Sequence, residues 1–263
     1  MFSYIVMEHP LTAEKEICIT GYTGEDVRVE VPERIDGLAV TGIGDYAFSG
    51  HPITHLFLPR TITHMGRYAL YRCSSLRLLS FFGGLKDFGA GAFTGCHHIQ
   101  QLVLETDEDE TSGLRDVLME VSEELQVEYR VRKDKAVLLF PEFFEEGVEN
   151  TPARIIEHHT HGSGLLYRNC FADRKLRFQE YDDRFPFACG QEKDSFVLRL
   201  AVSRLVCPMG LSDHHRSIYE DYVKEHFEAA AALYSQAGDA STVSFLMNLR
   251  RRYRQPGELS FEL

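Results

Sequence analysis

Along the first hundred residues, apolar side chains come in short bursts separated by turn residues, not in helical stripes. The block Ile43-Gly44-Asp45-Tyr46-Ala47-Phe48 returns as Met65-Gly66-Arg67-Tyr68-Ala69-Leu70 and as Phe88-Gly89-Ala90-Gly91-Ala92-Phe93, which sets the glycines at steps of 22 and then 23 residues. Each block is followed by a small turn, Ser49-Gly50, Arg72-Cys73 and Gly95-Cys96, and then by a short apolar segment: Ile53 to Pro59, Leu76 to Phe82, and Ile99 to Leu104. One short strand and one irregular turn cannot bury an apolar face alone, so neighbouring units must stack into a solenoid. The pattern predicts two interior ladders, Ile43, Met65 and Phe88 in one and Phe48, Leu70 and Phe93 in the other, with Ala47, Ala69 and Ala92 letting coils sit close. The recurring glycine predicts a backbone angle or a close approach that a side chain would forbid.

Strand side chains alternate between faces, so the register can be carried one step further. If Leu56 and Leu58 point inward, His55 and Phe57 point out. Aligning the units then gives two outward columns: Arg28, His55, Leu78 and Gln101 in one, Glu30, Phe57, Ser80 and Val103 in the other. Phe57, Leu78 and Val103 place apolar surface on a face that should be solvated, which predicts that something docks there. A partner protein and the chain's own second half are both candidates for the occupant.

The runs Ile19-Thr20-Gly21-Tyr22-Thr23-Gly24, Val29-Glu30-Val31-Pro32, Ile35-Asp36-Gly37-Leu38-Ala39-Val40 and Thr41 to Phe48 resemble the opening of BspA-like bacterial leucine-rich repeats. Leu58-Pro59, Met65-Gly66 and Cys73 fit the same repeat, and the resemblance covers about residues 15 to 105. It implies a strand-lined solenoid of the kind commonly used to bind other macromolecules, with no catalysis. Many relatives are exported surface proteins. The N-terminus here, Met1-Phe2-Ser3-Tyr4-Ile5-Val6-Met7-Glu8-His9, has no cationic flank and only a short apolar stretch, so a cytoplasmic location is expected instead.

Beyond Leu104 the pattern changes. Glu105 to Gly113 concentrates acidic residues before a glycine and reads as an exposed linker. Leu114, Val117, Leu118 and Val121 have helical spacing; Val127 to Val131 and Ala136 to Phe140 predict a β-hairpin that Pro141 ends. From about Asp194 the period is helical again: Phe196, Val197, Leu200, Ala201 and Leu205 share a stripe, and Ser212-Asp213 offer a cap. One long apolar face from Ile218 to Tyr234 and a further helix from Val243 to Arg250 follow, so the last third reads as a helical bundle or a pair of helical-repeat units.

Residues 148 to 190 carry the densest candidate chemistry. His158, His159 and His161 invite a metal, because in a strand His159 and His161 share a face. Cys170, Asp173, Asp182 and Asp183 are further ligand types by composition only. Gly162-Ser163-Gly164 lacks the flanking glycines of a nucleophile elbow, and there is no phosphate-cradling glycine pattern.

Charge and cysteine content narrow the functional classes. The 28 Lys+Arg against 40 Asp+Glu leave −12, a field that opposes nucleic acid and anionic membranes. No window approaches the ~18 apolar residues of a membrane span. The six cysteines contain no C-x-x-C pair and are expected as free thiols. The basic run Arg250-Arg251-Arg252-Tyr253-Arg254 is a helix end, free to meet an acidic partner or the chain's own residues 105 to 110.

The expected fold class is α+β: a capped solenoid at residues 1–105, an acidic linker at 106–113, and an α+β domain at 114–263 with helices from about 194. The expected function is binding of a protein partner through the columns named above, without cofactor, nucleic acid or membrane insertion. Metal-dependent or other enzyme activity in residues 148 to 190, with His158, His159 and His161 as first candidates, is the alternative.

Overall fold

The computed structural model describes residues 1–263 except Pro10, Asp109, residues 151–154 and 254–263, and gives only the backbone of residues 148–150 and 155–158. The chain opens with an antiparallel pair, β1 (Phe2–Glu8) and β2 (Lys15–Tyr22). It then winds through β3 (Arg28–Glu30), β4 (Arg34–Ile35), β5 (Leu38–Ile43), β6 (His55–Phe57), β7 (His64–Met65), β8 (Leu78–Phe82), β9 (Asp87–Phe88) and β10 (Gln101–Thr106). After these come α1 (Leu114–Glu120), β11 (Leu125–Val131) and β12 (Asp134–Phe140).

Each coil gives one strand to each of two sheets. The first has the order β1-β2-β5-β7-β9, with β4 beside β5, and the second has the order β12-β11-β10-β8-β6-β3. Strands from successive coils pair in parallel, while β1 and β12 close opposite ends as antiparallel strands. The result is a solenoid of about five turns followed by helices, the α+β class that the alternating periodicities predict.

The interior ladders form as the repeat requires. Ile43, Met65, Phe48, Leu70 and Phe93 are buried, Phe88 is partly so, and Ala47, Ala69 and Ala92 lie between coils. Each large apolar side chain contributes roughly 1.5–3 kcal/mol by leaving water. The recurring glycine is needed for close approach: a Cβ at Gly66 would collide with the backbone of Asp45, and one at Gly89 with that of Arg67. These glycines donate to the coil before, Gly66 to Ile43 and Gly89 to Met65, each at 2.7 Å. The left-handed angle falls two residues later, at Tyr46 (57°), Tyr68 (55°) and Gly91 (67°), where the Tyr46 and Tyr68 rings stack at 5.2 Å. Cys73 and Cys96 occupy one further rung position and donate their thiols to Phe48 and Leu70 carbonyls, both at 3.0 Å.

The acidic stretch is not a break in the sheet. β10 runs through Glu105 to Thr106, and the loop after it is tied back by Asp107 to Arg60 (3.2 Å), Glu108 to Arg132 (3.1 Å) and Glu110 to the Thr106 hydroxyl (3.1 Å). After α1, β11 pairs with β10 in parallel from Gln101↔Gln126 to Thr106↔Val131, so residues beyond 113 continue the same sheet. The hairpin of β11 and β12 is the one the alternation predicts.

The rest of the chain comprises the hairpin β13 (Phe144–Asn150) and β14 (Ile155–His161), then α2 (Gly164–Arg168), β15 (Phe171–Ala172), β16 (Lys175–Leu176), α3 (Phe178–Asp182) and α4 (Phe185–Gln191). The helices α5 (Asp194–Val206), α6 (Asp213–Glu225), α7 (Phe227–Gln236) and α8 (Ala240–Tyr253) follow. The single long helix expected across 218–234 is two helices. The break at His226 is held by its ring, which donates to the Tyr222 carbonyl at 2.9 Å and stacks on the Tyr222 ring at 4.2 Å.

Two buried arginines join these pieces. Arg168 donates to backbone carbonyls of Leu118, Val121, Glu123, Pro141 and Gly164, linking α2 to the end of α1 and the end of β12. Arg204 of α5 forms a fully buried pair with Asp182 at 2.8 Å, and Tyr219 of α6 donates to the same carboxylate at 2.8 Å. The open edge of β12 is covered from this side: the Tyr181 hydroxyl accepts from Leu139 N (2.9 Å) and donates to Leu139 O (2.7 Å), and Ala136 bridges Pro208.

Candidate functional site

The outward face of the second sheet carries the two columns in register. Arg28 lies opposite His55, His55 opposite Leu78, and Leu78 opposite Gln101; Glu30 lies opposite Phe57, Phe57 opposite Ser80, and Ser80 opposite Val103. Arg28 and Glu30 are exposed at the β3 edge, while His55, Phe57, Leu78, Ser80 and Gln101 are half-buried. Val103 departs from the expectation at 8% exposure. It sits in an interior strand between Ser80 and Glu128, so both neighbouring strands shield it and it offers little contact surface.

The face is organised by aromatic and cationic contacts. The Arg28 guanidinium stands 4.3 Å from the Phe57 ring centroid and 3.7 Å from the Glu30 carboxylate. The His55 ring lies nearly parallel to Phe57, centroids 6.4 Å apart, and its Nδ1 is 2.9 Å from the Thr54 hydroxyl. A cation held over a ring in this way is pre-positioned yet still exposed. Further along, Arg60 stands 5.7 Å from the Phe82 ring.

Sequence reasoning stopped at Gln101 and Val103, but the columns run on to Gln126 and Glu128. The step from Gln101 to Gln126 is 25 residues instead of 22 or 23, with a helix in between, so no repeat block flags it. Burial works against the charge of the Glu128 carboxyl, but Arg130 (3.0 Å) and Lys135 (3.3 Å) overcome it and hold its pKa below the ordinary value. Arg199 of α5, paired with Glu124 at 2.7 Å, closes this end, and with Gln100, Gln101 and Gln126 it lines a depression of about 450 Å³. The helices thus border the face at β11 and leave the columns from Arg28 to Gln101 open.

The histidine-rich segment forms a hairpin. His159 and His161 share a face of β14, as alternation predicts, opposite Glu146 and Phe144. His161 stacks on Phe144 at 4.5 Å and lies 3.1 Å from the Glu146 carboxylate; the side chain of His158 lies outside the described residues. Three of the other ligand candidates are engaged elsewhere, Asp182 with Arg204, Asp183 with His215 at 2.9 Å, and the Cys170 thiol with the Leu166 carbonyl at 3.3 Å, while Asp173 is exposed in the turn between β15 and β16. Among the described residues, no group of three or more His, Cys, Asp or Glu side chains is arranged to hold a metal ion. Ser163 is fully buried and donates to Glu192 at 2.6 Å. The His215 ring bridges Ser212 (2.8 Å) and Asp183, but that serine caps α6 by accepting the His215 N–H.

Arg250 pairs with Glu228 at 2.9 Å and covers the Phe227 ring, so this arginine of the basic run packs on α7. Arg254, the last of the basic run, lies outside the described residues. No helix among the described residues is long and apolar enough to cross a membrane.

Residues 30–112 match the BspA type leucine rich repeat region in six copies. A leucine rich repeat protein of T. pallidum is similar at 25% identity over 43% of this chain and 54% of that one, with a TM-score of 0.36. A leucine-rich repeat protein from Bacteroides capillosus shows 22% identity over 38% of this chain and 76% of its own, TM-score 0.34. A leucine rich cell surface protein from Faecalibacterium prausnitzii shows 19% identity over 43% and 40%, TM-score 0.30. The chain spans about half the length of the T. pallidum protein. No curated protein matches.

Proposed function

We propose that this protein binds a protein partner through the outward face of its second sheet, with Arg28, Glu30, His55, Phe57, Leu78, Ser80 and Gln101 as the contact surface. Leucine-rich repeats generally serve as protein-interaction modules. The observation that carries the reading is the Arg28, Phe57 and His55 cluster, a cation and two rings in register on a sheet face that the chain's own helices leave open. Aromatic and arginine anchors in this arrangement supply most of the energy of a typical interface, while the surrounding polar residues exclude water. Arg199 of α5, beside Gln101 and Gln126, bounds the far end, so an approaching segment lies along the columns between β3 and β11. On this reading the solenoid acts by association, without catalysis or a cofactor, in the cytoplasm.

The test is affinity capture of partners by wild type, Phe57→Asp and Arg251→Glu, the last lying on α8 away from the face. Partners that bind through the face are lost at least tenfold with Phe57→Asp, which corresponds to at least about 1.4 kcal/mol, and are retained with Arg251→Glu. An equal loss with both variants, or with neither, contradicts the proposal.

A further inference from the structure

A sheet that ends in an open strand presents a row of unpaired N–H and C=O groups, and proteins blunt such edges by shortness, charge, proline or a cover. The second sheet is blunted at both ends: β3 is three residues long and carries Arg28 and Glu30, and β12 is covered by Tyr181 and Pro208. At the far end of the first sheet, β9 has two residues, one of them Asp87.

β1 is less protected, with the charged Glu8 only at its last position. It is seven residues long, carries no charge and no proline from Phe2 to Met7, and among the described residues pairs only with β2. The irregularity in that pairing places the extra residue, Thr20, on β2, so β1 itself carries no bulge. Ile5 and Val6, which point to opposite faces, are 50% and 51% exposed, so apolar surface flanks the open edge on both sides.

Another strand can take up this row of backbone groups in place of water. β1 is also complementary to itself. In an antiparallel pairing centred on Ile5, Ile5 meets its own copy, Tyr4 meets Val6, Ser3 meets Met7 and Phe2 meets Glu8, so the three central rungs match apolar side chains, one face by Ile5 and the other by Tyr4 and Val6, and no like charges oppose. Seven residues at ~3.4 Å each give a seam about 24 Å long. With side chains on both faces it buries on the order of 1,000 Å² in total, the lower bound for a specific interface. A two-fold seam of this kind is closed, so assembly stops at two chains.

We propose that the chain forms a two-fold dimer by antiparallel pairing of β1 with β1 of a second copy, which joins the two first sheets into one. The outward face of the second sheet takes no part, so dimerisation and partner binding are independent.

Size-exclusion chromatography with light scattering tests this. Wild type is expected at twice its 30.1 kDa chain mass at tens of micromolar, and Ile5→Lys at the single-chain mass. Ser3→Lys, at an exposed position on the same edge, gives the same result, with circular dichroism showing that both variants keep the fold. Should either variant misfold, hydrogen exchange on wild type at high and low concentration gives the answer: protection of residues 4–6 that rises with concentration supports the dimer. A wild-type mass of 30.1 kDa at all concentrations, a doubled mass in folded variants, or concentration-independent exchange overturns it.

Discussion

Arg168 is fully buried, and its guanidinium is held by five backbone carbonyls from α1, the loop after it, β12's end and α2. Burial pushes its pKa down to about 10, still far enough above neutral for the charge to persist. Arg168→Ala leaves those acceptors without donors at about 1–3 kcal/mol each where they stay dry, so urea unfolding should show a loss of at least ~3 kcal/mol. Arg168→Lys recovers only part, because an ammonium cannot span the same fork; a loss below ~1 kcal/mol on Arg168→Ala would contradict the assignment. The thiols give a second residue-scale prediction. Burial raises Cys73 to about 12 and Cys96 to about 11, and Cys189 is the exposed one of six. A thiol reagent at pH 8 should label Cys189 first and the remaining five only on denaturation, read by peptide mass spectrometry. The outward columns were legible because period-two alternation fixes them once one inward leucine is known. The role of Arg168 was not legible, since its acceptors lie up to 50 residues away and are backbone groups that no side-chain pattern marks.

At the scale of elements, caps and breaks decide where helices stand. Asp239 caps α8 by accepting from Thr242 N (3.0 Å), Thr242 Oγ1 (2.6 Å) and Ser241 Oγ (2.7 Å). The Ser241 and Thr242 bonds pull its pKa down from 3.8 to about 2. A depressed carboxyl stabilises the fold above its unfolded pKa and loses that stabilisation as pH falls through the folded value. The Tm difference between wild type and Asp239→Asn should therefore be constant at neutral pH and shrink between pH 4 and 2; a difference that does not change with pH would contradict the cap. The glycine ladder, the repeat strands and the cap at Ser212 were readable from spacing, whereas the cap at Asp239 was not read. The break at His226 was not, because it rests on one ring bonding and stacking within its own turn, and histidine carries no breaker signal. α1 and β11 were read as elements, yet their place in the solenoid was missed because the repeat block is absent there.

For the whole molecule, the buried core is continuous from Ile17 to Leu249. Composition suggests a division at the acidic stretch, but β11 and β12 complete the second sheet beyond it. A chain ending at residue 113 should expose the β10 edge and the underside of the last coil, and so melt without cooperativity and bind a hydrophobic dye. Cooperative melting near the full-length temperature would contradict this. A partner docked on the outward face of the second sheet has to touch Phe57. The most direct test of that docking is a photo-crosslinking residue at Phe57, compared with one at Met247, which is exposed on α8. A discrete protein adduct is expected from position 57 and none from 247; identical adducts from both positions, or none from position 57, would rule out partner docking on this face.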